Sequence, residues 1–142
     1  MIDIGDKKIT NRVAVVGARI SLSPRVIKLI RRKKIPKGDV LETARVAGII
    51  AAKKTAELIP FCHPVSIEYA DIEVSLKNKE VEIKTTVRSR AKTGVEMEAM
   101  VACSLAALTI YDMCKSIDRG AVIEEIKLMD EKNEWAVIWF SK

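Results

Sequence analysis

Aromatic residues make up only 4% of the 142 residues, too few rings to stack on splayed bases, and no aromatic-basic pattern of an RNA-recognition strand is present. Nucleic acid is therefore not the expected partner. There is one histidine, and the three cysteines, Cys62, Cys103 and Cys114, are odd in number and form no Cys-x-x-Cys pair. Neither a disulfide framework nor a zinc knuckle is expected. Cys103 and Cys114, placed on one helix, would stand about 16 Å apart along its axis, too far to share a metal. No uncharged apolar run reaches the roughly 18 residues of a membrane span, and the opening Met1-Ile2-Asp3-Ile4-Gly5-Asp6-Lys7-Lys8 lacks the apolar centre of a signal peptide. The expectation is a soluble cytoplasmic protein with no membrane partner.

What is present is a hydrophobic fraction of 49%, enough for one domain over residues 1–142 to bury a core unaided. Lysine and arginine exceed the acids, for a net charge of +6, which favours an anionic partner without naming it.

The apolar pattern predicts a strand over Arg12–Leu22. Ser23-Pro24 supplies an N-cap and a first-turn proline for a short basic helix to about Lys34. Its terminal run Arg31-Arg32-Lys33-Lys34 reads either as a solvated helix end favoured by the dipole or as a phosphate clamp. Pro36-Lys37-Gly38-Asp39 is a turn with Asp39 set to cap a helix from Val40 to about Leu58. Gly48 in that helix predicts close packing or ligand approach. Two prolines bracket Phe61-Cys62-His63 and stiffen a loop there. Strands follow over Val65–Leu76 and Val81–Ala91, then a helix over Val95–Ile117 so apolar that part of its cover should come from a second subunit. Strands Ala121–Met129 and Trp135–Phe140 close the chain. This order predicts an α+β fold: a ferredoxin-like split βαβ arrangement with one added helix, its antiparallel sheet packed by helices. The arrangement hosts many functions and names none.

Several polar residues are candidates for chemistry. Asp112 and Lys115 share one helix face, either as a surface ion pair or as a charge pair on a buried element, where partial desolvation would lower the lysine toward neutral pH. Glu96 and Glu98 stand in the first helical turn, where the dipole favours acids anyway. Glu98 and Asp112 lie close to one face but about 21 Å apart along the axis. One small substrate can join them only if this helix pairs antiparallel with its copy across a twofold axis. Lys37 stands before a helix N-terminus that attracts anions, and Lys53 can pair with Glu57. His63 reads as phosphate ligand, proton carrier or satisfied loop histidine. Cys62 beside it is discounted as a nucleophile, because neighbouring side chains in extended backbone point apart.

Lys37-Gly38-Asp39-Val40, Ala44-Arg45-Val46-Ala47-Gly48-Ile49, Leu58-Ile59-Pro60-Phe61-Cys62-His63-Pro64, Thr93-Gly94-Val95-Glu96-Met97-Glu98-Ala99 and Ala106 through Lys115 together resemble the consecutive signature blocks of the cyclic pyranopterin monophosphate synthase family, the molybdenum cofactor biosynthesis proteins C. The similarity runs from about Asp3 to Leu128. It implies a ferredoxin-like subunit assembled as a homohexamer, a trimer of dimers, with active sites at the dimer interface. It also implies a lyase reaction in which a cyclised 7,8-dihydroguanosine triphosphate becomes cyclic pyranopterin monophosphate with release of pyrophosphate. Under it, Asp112 is the active-site acid, Lys115 its proton-transfer partner and Lys37 a further catalytic or orienting lysine. Phe61, Cys62, His63, Met97, Glu98 and Glu96 line the substrate, while Lys53, Arg12 and Lys7 supply charge for the triphosphate. No protein cofactor or metal site is implied, although magnesium can accompany the triphosphate. One departure is visible: relatives commonly end in a glycine- and lysine-containing stretch, where this chain has Asp130 through Trp135 followed by AVIWF. A basic RNA-binding module is the rival reading, and it predicts steep salt dependence.

Overall fold

The structure is a computed structural model that describes residues 1–129. Its elements run β1 (Thr10–Ser21), α1 (Pro24–Arg31), α2 (Val40–Lys53), α3 (Thr55–Leu58), β2 (Tyr69–Leu76), β3 (Glu80–Ala91), α4 (Glu96–Cys114) and β4 (Val122–Leu128). The strands form one sheet in the order β2-β3-β1-β4, every neighbour antiparallel. This is the α+β, ferredoxin-like arrangement that the element order predicts.

Alternation explains the two faces of the sheet. Val16, Ala18 and Ile20 of β1 are buried beside Thr85, Ile83 and Val81 of β3, their register partners. The residues between them point the other way, where Glu73 pairs in register with Lys84 and Arg19 binds Glu125 at 2.8 Å. Period-two patterning thus sets one apolar face against the helices and leaves a charged face outside.

The long helix α4 lies over β1 and β3 with α2 beside it. By length and composition α4 could cross a membrane, yet its side chains Ala99, Ala102, Cys103, Ala106, Ala107 and Ile110 are buried in the core. Full burial of one such side chain as large as Ile110 contributes about 1.5–3 kcal/mol. Gly48 lets α2 settle against its neighbours: a Cβ there would lie 2.1 Å from Ile72 Cδ1 and 2.9 Å from the carbonyl oxygen of Ala102. The close packing expected at Gly48 is present.

Local chemistry fixes the helix starts. Ser23 Oγ accepts from the Val26 N–H, and Asp39 Oδ1 accepts from the Glu42 N–H; both are N-caps as expected. Several boundaries differ from expectation, among them the end of α4 at Cys114 rather than about Ile117. The first helix ends at Arg31, because Lys33 and Lys34 donate to Ile30 and Leu29 in a Schellman turn with Lys33 at φ 55. The second helix breaks at Lys54, where the buried Thr55 hydroxyl takes the Ala52 carbonyl at 2.9 Å and a new short helix starts. Val65–Glu68 lies outside β2; the Ser89 hydroxyl instead donates to the Ser66 carbonyl and holds that segment against β3. The expected strand Trp135–Phe140 lies outside the described residues.

Candidate functional site

The two ends of α4 carry two groups of polar residues. At its C-terminal end Asp112 meets two lysines, with Lys115 Nζ 2.7 Å from Oδ1 and Lys37 Nζ 2.8 Å from Oδ2. Lys115 arrives by helical spacing. Lys37 arrives from 75 residues earlier, carried by a turn whose Ile35 is buried and whose Gly38 adopts φ 116, a conformation strained for any side chain. Hydrogen bonds from Lys115 and then Lys37 hold the Asp112 carboxyl at about 2. Of the two readings of Asp112 and Lys115, the protomer shows the surface ion pair rather than a desolvated lysine. About half of the Lys115 side chain is exposed in the protomer, and its bond to Asp112 raises it instead.

At the N-terminal end of α4 a cavity of about 620 Å³ opens between three segments. The 59–64 loop contributes Phe61, Cys62 and His63, the first turn of α4 contributes Glu96 and Met97, and the N-terminal segment contributes Lys7. Lys92 Nζ donates to the Gly5 carbonyl at 2.8 Å and ties that segment to the end of β3. Pro60 and Pro64 bracket the loop, which follows directly from the short helix α3. The Thr85 hydroxyl of β3 donates to the Ala99 carbonyl at 3.0 Å, which seats the first turns of α4 on the sheet.

Glu98 follows the cavity-lining Met97 in sequence and is itself only 2% exposed. Its Oε2 has no hydrogen-bond partner among the described residues. Burial raises its carboxyl above the ordinary glutamate value, and the charge of Glu96 adds to the rise. The Cys62 thiol is pushed up by burial and then by Glu98 and Glu96, so it is held as a thiol, and its Sγ lies 3.9 Å from the His63 carbonyl oxygen.

One chain therefore brings Lys37, Asp112 and Lys115 together, and separately Lys7, Phe61, Cys62, His63, Glu96, Met97 and the adjoining Glu98. It does not bring the two groups to each other. Fourteen helical residues separate Glu98 from Asp112, about 21 Å. Arg12 stands outside the cavity, its guanidinium bonded to the Ala91 and Lys92 carbonyls at 3.5 and 3.4 Å. Lys53 is exposed at the end of α2 and, among the described residues, makes no ion pair with Glu57. Sequence reasoning missed the apolar wall of Ile2, Ile4 and Ile59, and also Thr93 and Gly94 at the rim. The last two stand inside the Thr93-Gly94-Val95-Glu96 block, which was the available signal. Among the described residues no three His, Cys, Asp or Glu side chains converge as metal ligands.

The outward stripe of α4 links the two ends. Met97 and Leu108 are exposed and Ser104 half-buried, and the line continues to Asp112 and Lys115. Spacings of seven, four, four and three put these residues on one face.

A ferredoxin-like α+β chain with a walled cavity at one helix end and a lysine–aspartate–lysine cluster at the other defines a small-molecule site of the acid–base type. The family model described as "MoaC family" matches residues 1–133, and the chain belongs to that family. A Bordetella avium protein named cyclic pyranopterin monophosphate synthase is 53% identical over 130 residues, 90% of this chain and 80% of its own length. A protein of the same name from Chloroflexus aurantiacus is 48% identical over 141 residues, 98% of this chain and 86% of its own. One from Thermomicrobium roseum is 45% identical over 141 residues, with shares of 98% and 85%.

Proposed function

We propose that the chain catalyses the reaction for which these relatives are named, forming cyclic pyranopterin monophosphate in molybdenum cofactor biosynthesis from (8S)-3',8-cyclo-7,8-dihydroguanosine 5'-triphosphate. Pyrophosphate is the second product. The observation that carries this reading is Asp112, with a separate lysine on each carboxylate oxygen. Closing the cyclic phosphate requires a sugar hydroxyl to attack the α-phosphorus while pyrophosphate leaves. Two cations beside one acid can balance that charge and shuttle the protons that the ring rearrangement needs. Asp112 holds Lys37 and Lys115 in place, Lys115 is the proton-transfer partner, and Lys37 orients or assists. Phe61, Cys62, His63, Glu96, Met97 and Glu98 receive the ring system, and Lys7, Arg12 and Lys53 supply charge for the triphosphate. Magnesium, where present, enters as part of the substrate.

The active site in this reading lies at a subunit interface. The 21 Å between the two groups is closed when α4 packs antiparallel against α4 of a second copy along the Met97–Leu108 stripe, bringing Asp112 of one subunit toward Glu98 of the other. Three such dimers make the proposed homohexamer, working in the cytoplasm. The test is incubation of the purified protein with the cyclised dihydro-GTP, following pyrophosphate and pterin product. Product is expected; a folded wild type that binds the nucleotide and releases neither product would leave a binding protein and sink the enzyme reading.

A further inference from the structure

The positive charge of this chain is concentrated in one place. Seven of its 25 basic residues fall within residues 25–37, where there is no acid. Elsewhere 18 basic residues face 19 acidic ones, so the net charge of +6 belongs to this segment alone. All seven are exposed. Lys37 is bonded to Asp112, and Lys33 stands 3.6 Å from Asp39. The other five, Arg25, Lys28, Arg31, Arg32 and Lys34, have no ion-pair partner among the described residues. The helix dipole accounts for Lys28 and Arg31 in the last turn of α1. It does not account for Arg25 in the first turn, where the dipole opposes a cation, or for Lys34 beyond the helix end. Cations three and four apart on one helix face also repel one another, so the segment gathers like charge against its own local stability.

The apolar side of α1, Val26, Ile27 and Ile30, is buried in the core. That face is not free to lie on a membrane, and the cations are turned to solvent. From the end of α1 the chain runs to Lys37 through a turn closed by the Gly38 N–H on the Ile35 carbonyl at 3.0 Å. The Cα of Lys34 is at most about 11 Å from that of Lys37, close to the Debye length of about 8–10 Å at physiological salt. The field of the segment therefore reaches the Asp112 cluster. In the dimer proposed above, the second copy brings Glu96, Glu98 and Lys7 to this end of α4, a balance of one negative charge that leaves the surplus standing. We infer that residues 25–37 are a landing surface for the phosphate tail of the nucleotide, drawing a multiply charged anion from solvent and delivering it to Lys37. This rests on the function proposed above and deepens it, and it decides the open reading of Arg31 through Lys34 in favour of phosphate. The segment holds no aromatic residue, so RNA would find charge there without a ring to stack on.

The test compares the full-length wild-type assembly with a variant carrying Arg31→Gln, Arg32→Gln and Lys34→Gln. At low ionic strength KM for the cyclised dihydro-GTP should rise about tenfold with kcat within about twofold, and the gap should close near 0.5 M salt, where screening shortens the field to about 4 Å. Arg31→Lys with Arg32→Lys keeps the charge and should behave as the wild type. An unchanged KM, a loss in kcat instead, or a gap that persists at high salt overturns the proposal. So does a lysine variant as impaired as the glutamine variant in proteins of equal melting temperature. Calorimetry with inorganic triphosphate separates this inference from the functional reading. Weaker binding by the glutamine variant supports the landing surface even where the cyclised dihydro-GTP yields no product, while equal binding overturns it. A short single-stranded RNA that outcompetes triphosphate at these cations would assign the surface to nucleic acid and overturn it likewise.

Discussion

The two ends of α4 hold acids in opposite circumstances. Asp112 stands half exposed between two lysines and is depressed to about 2, whereas Glu98 is buried without a cation and is raised. They are presented by the same continuous helix, so secondary structure does not separate them. The difference comes from what the rest of the chain brings alongside: a lysine-bearing turn at one end and a proline-stiffened apolar loop at the other. Within the protomer the helix therefore carries a compensated acid at one end and an uncompensated, buried one at the other.

The largest expected effect breaks the comparison at its charged end. Lys115→Ala should lower turnover by about 10²–10⁴-fold, and His63→Ala should impair the opposite end. If each site draws one end from each subunit, mixing the two inactive variants by denaturation and refolding should restore about a quarter of wild-type activity, since half the random dimers are mixed and each carries one intact site. No recovery in well-mixed dimers would place both ends in one subunit. Next is the packing that holds both ends on one rod. Gly48→Ala forces a methyl against Ile72 and the Ala102 carbonyl and should cost about 1–3 kcal/mol in denaturant unfolding.

At the cavity rim, a Cβ on Gly94 would meet the Glu96 carboxylate at 2.0 Å. Gly94→Ala should therefore swing Glu96 away, raising KM several-fold with melting temperature little changed; an unchanged KM would show that Glu96 placement is indifferent. The smallest effect is the pH response of stability, which should have opposite signs at the two ends. Asp112 contributes above the ordinary value of 3.8 and loses that contribution as pH falls through about 2. Glu98, raised above 4.5, makes the fold less stable as pH climbs from there. Glu98→Gln should accordingly gain on the wild type with rising pH, and Asp112→Asn should lose on it at neutral pH, with the Asp112→Asn gap closing in acid. Parallel pH curves for wild type and variant would contradict either assignment.

Much of the site was legible because its pieces are local in sequence. Asp112 and Lys115 meet by helical spacing, Asp39 and Ser23 announce their caps, and the prolines around Phe61-Cys62-His63 announce a fixed loop. The pairing of Lys37 with Asp112 was not legible from spacing, since four elements, α2, α3, β2 and β3, separate the turn from α4. The choice between the two readings of Lys115 was not legible for a related reason: desolvation depends on what covers a residue, and in the protomer the surface carboxylate at 2.7 Å outweighs it. The apolar wall of Ile2 and Ile4 was hidden because a short N-terminal segment outside any helix or strand carries no periodicity.

The sequence by itself determined the strand and helix order, the buried face of each strand and the residue types of the site, because these follow from period, capping and backbone restriction along a few neighbouring residues. Only the tertiary structure decided which acid is compensated and which is left buried. A carboxyl's charge answers to everything within a few ångströms of it, and here those neighbours arrive from distant parts of the chain.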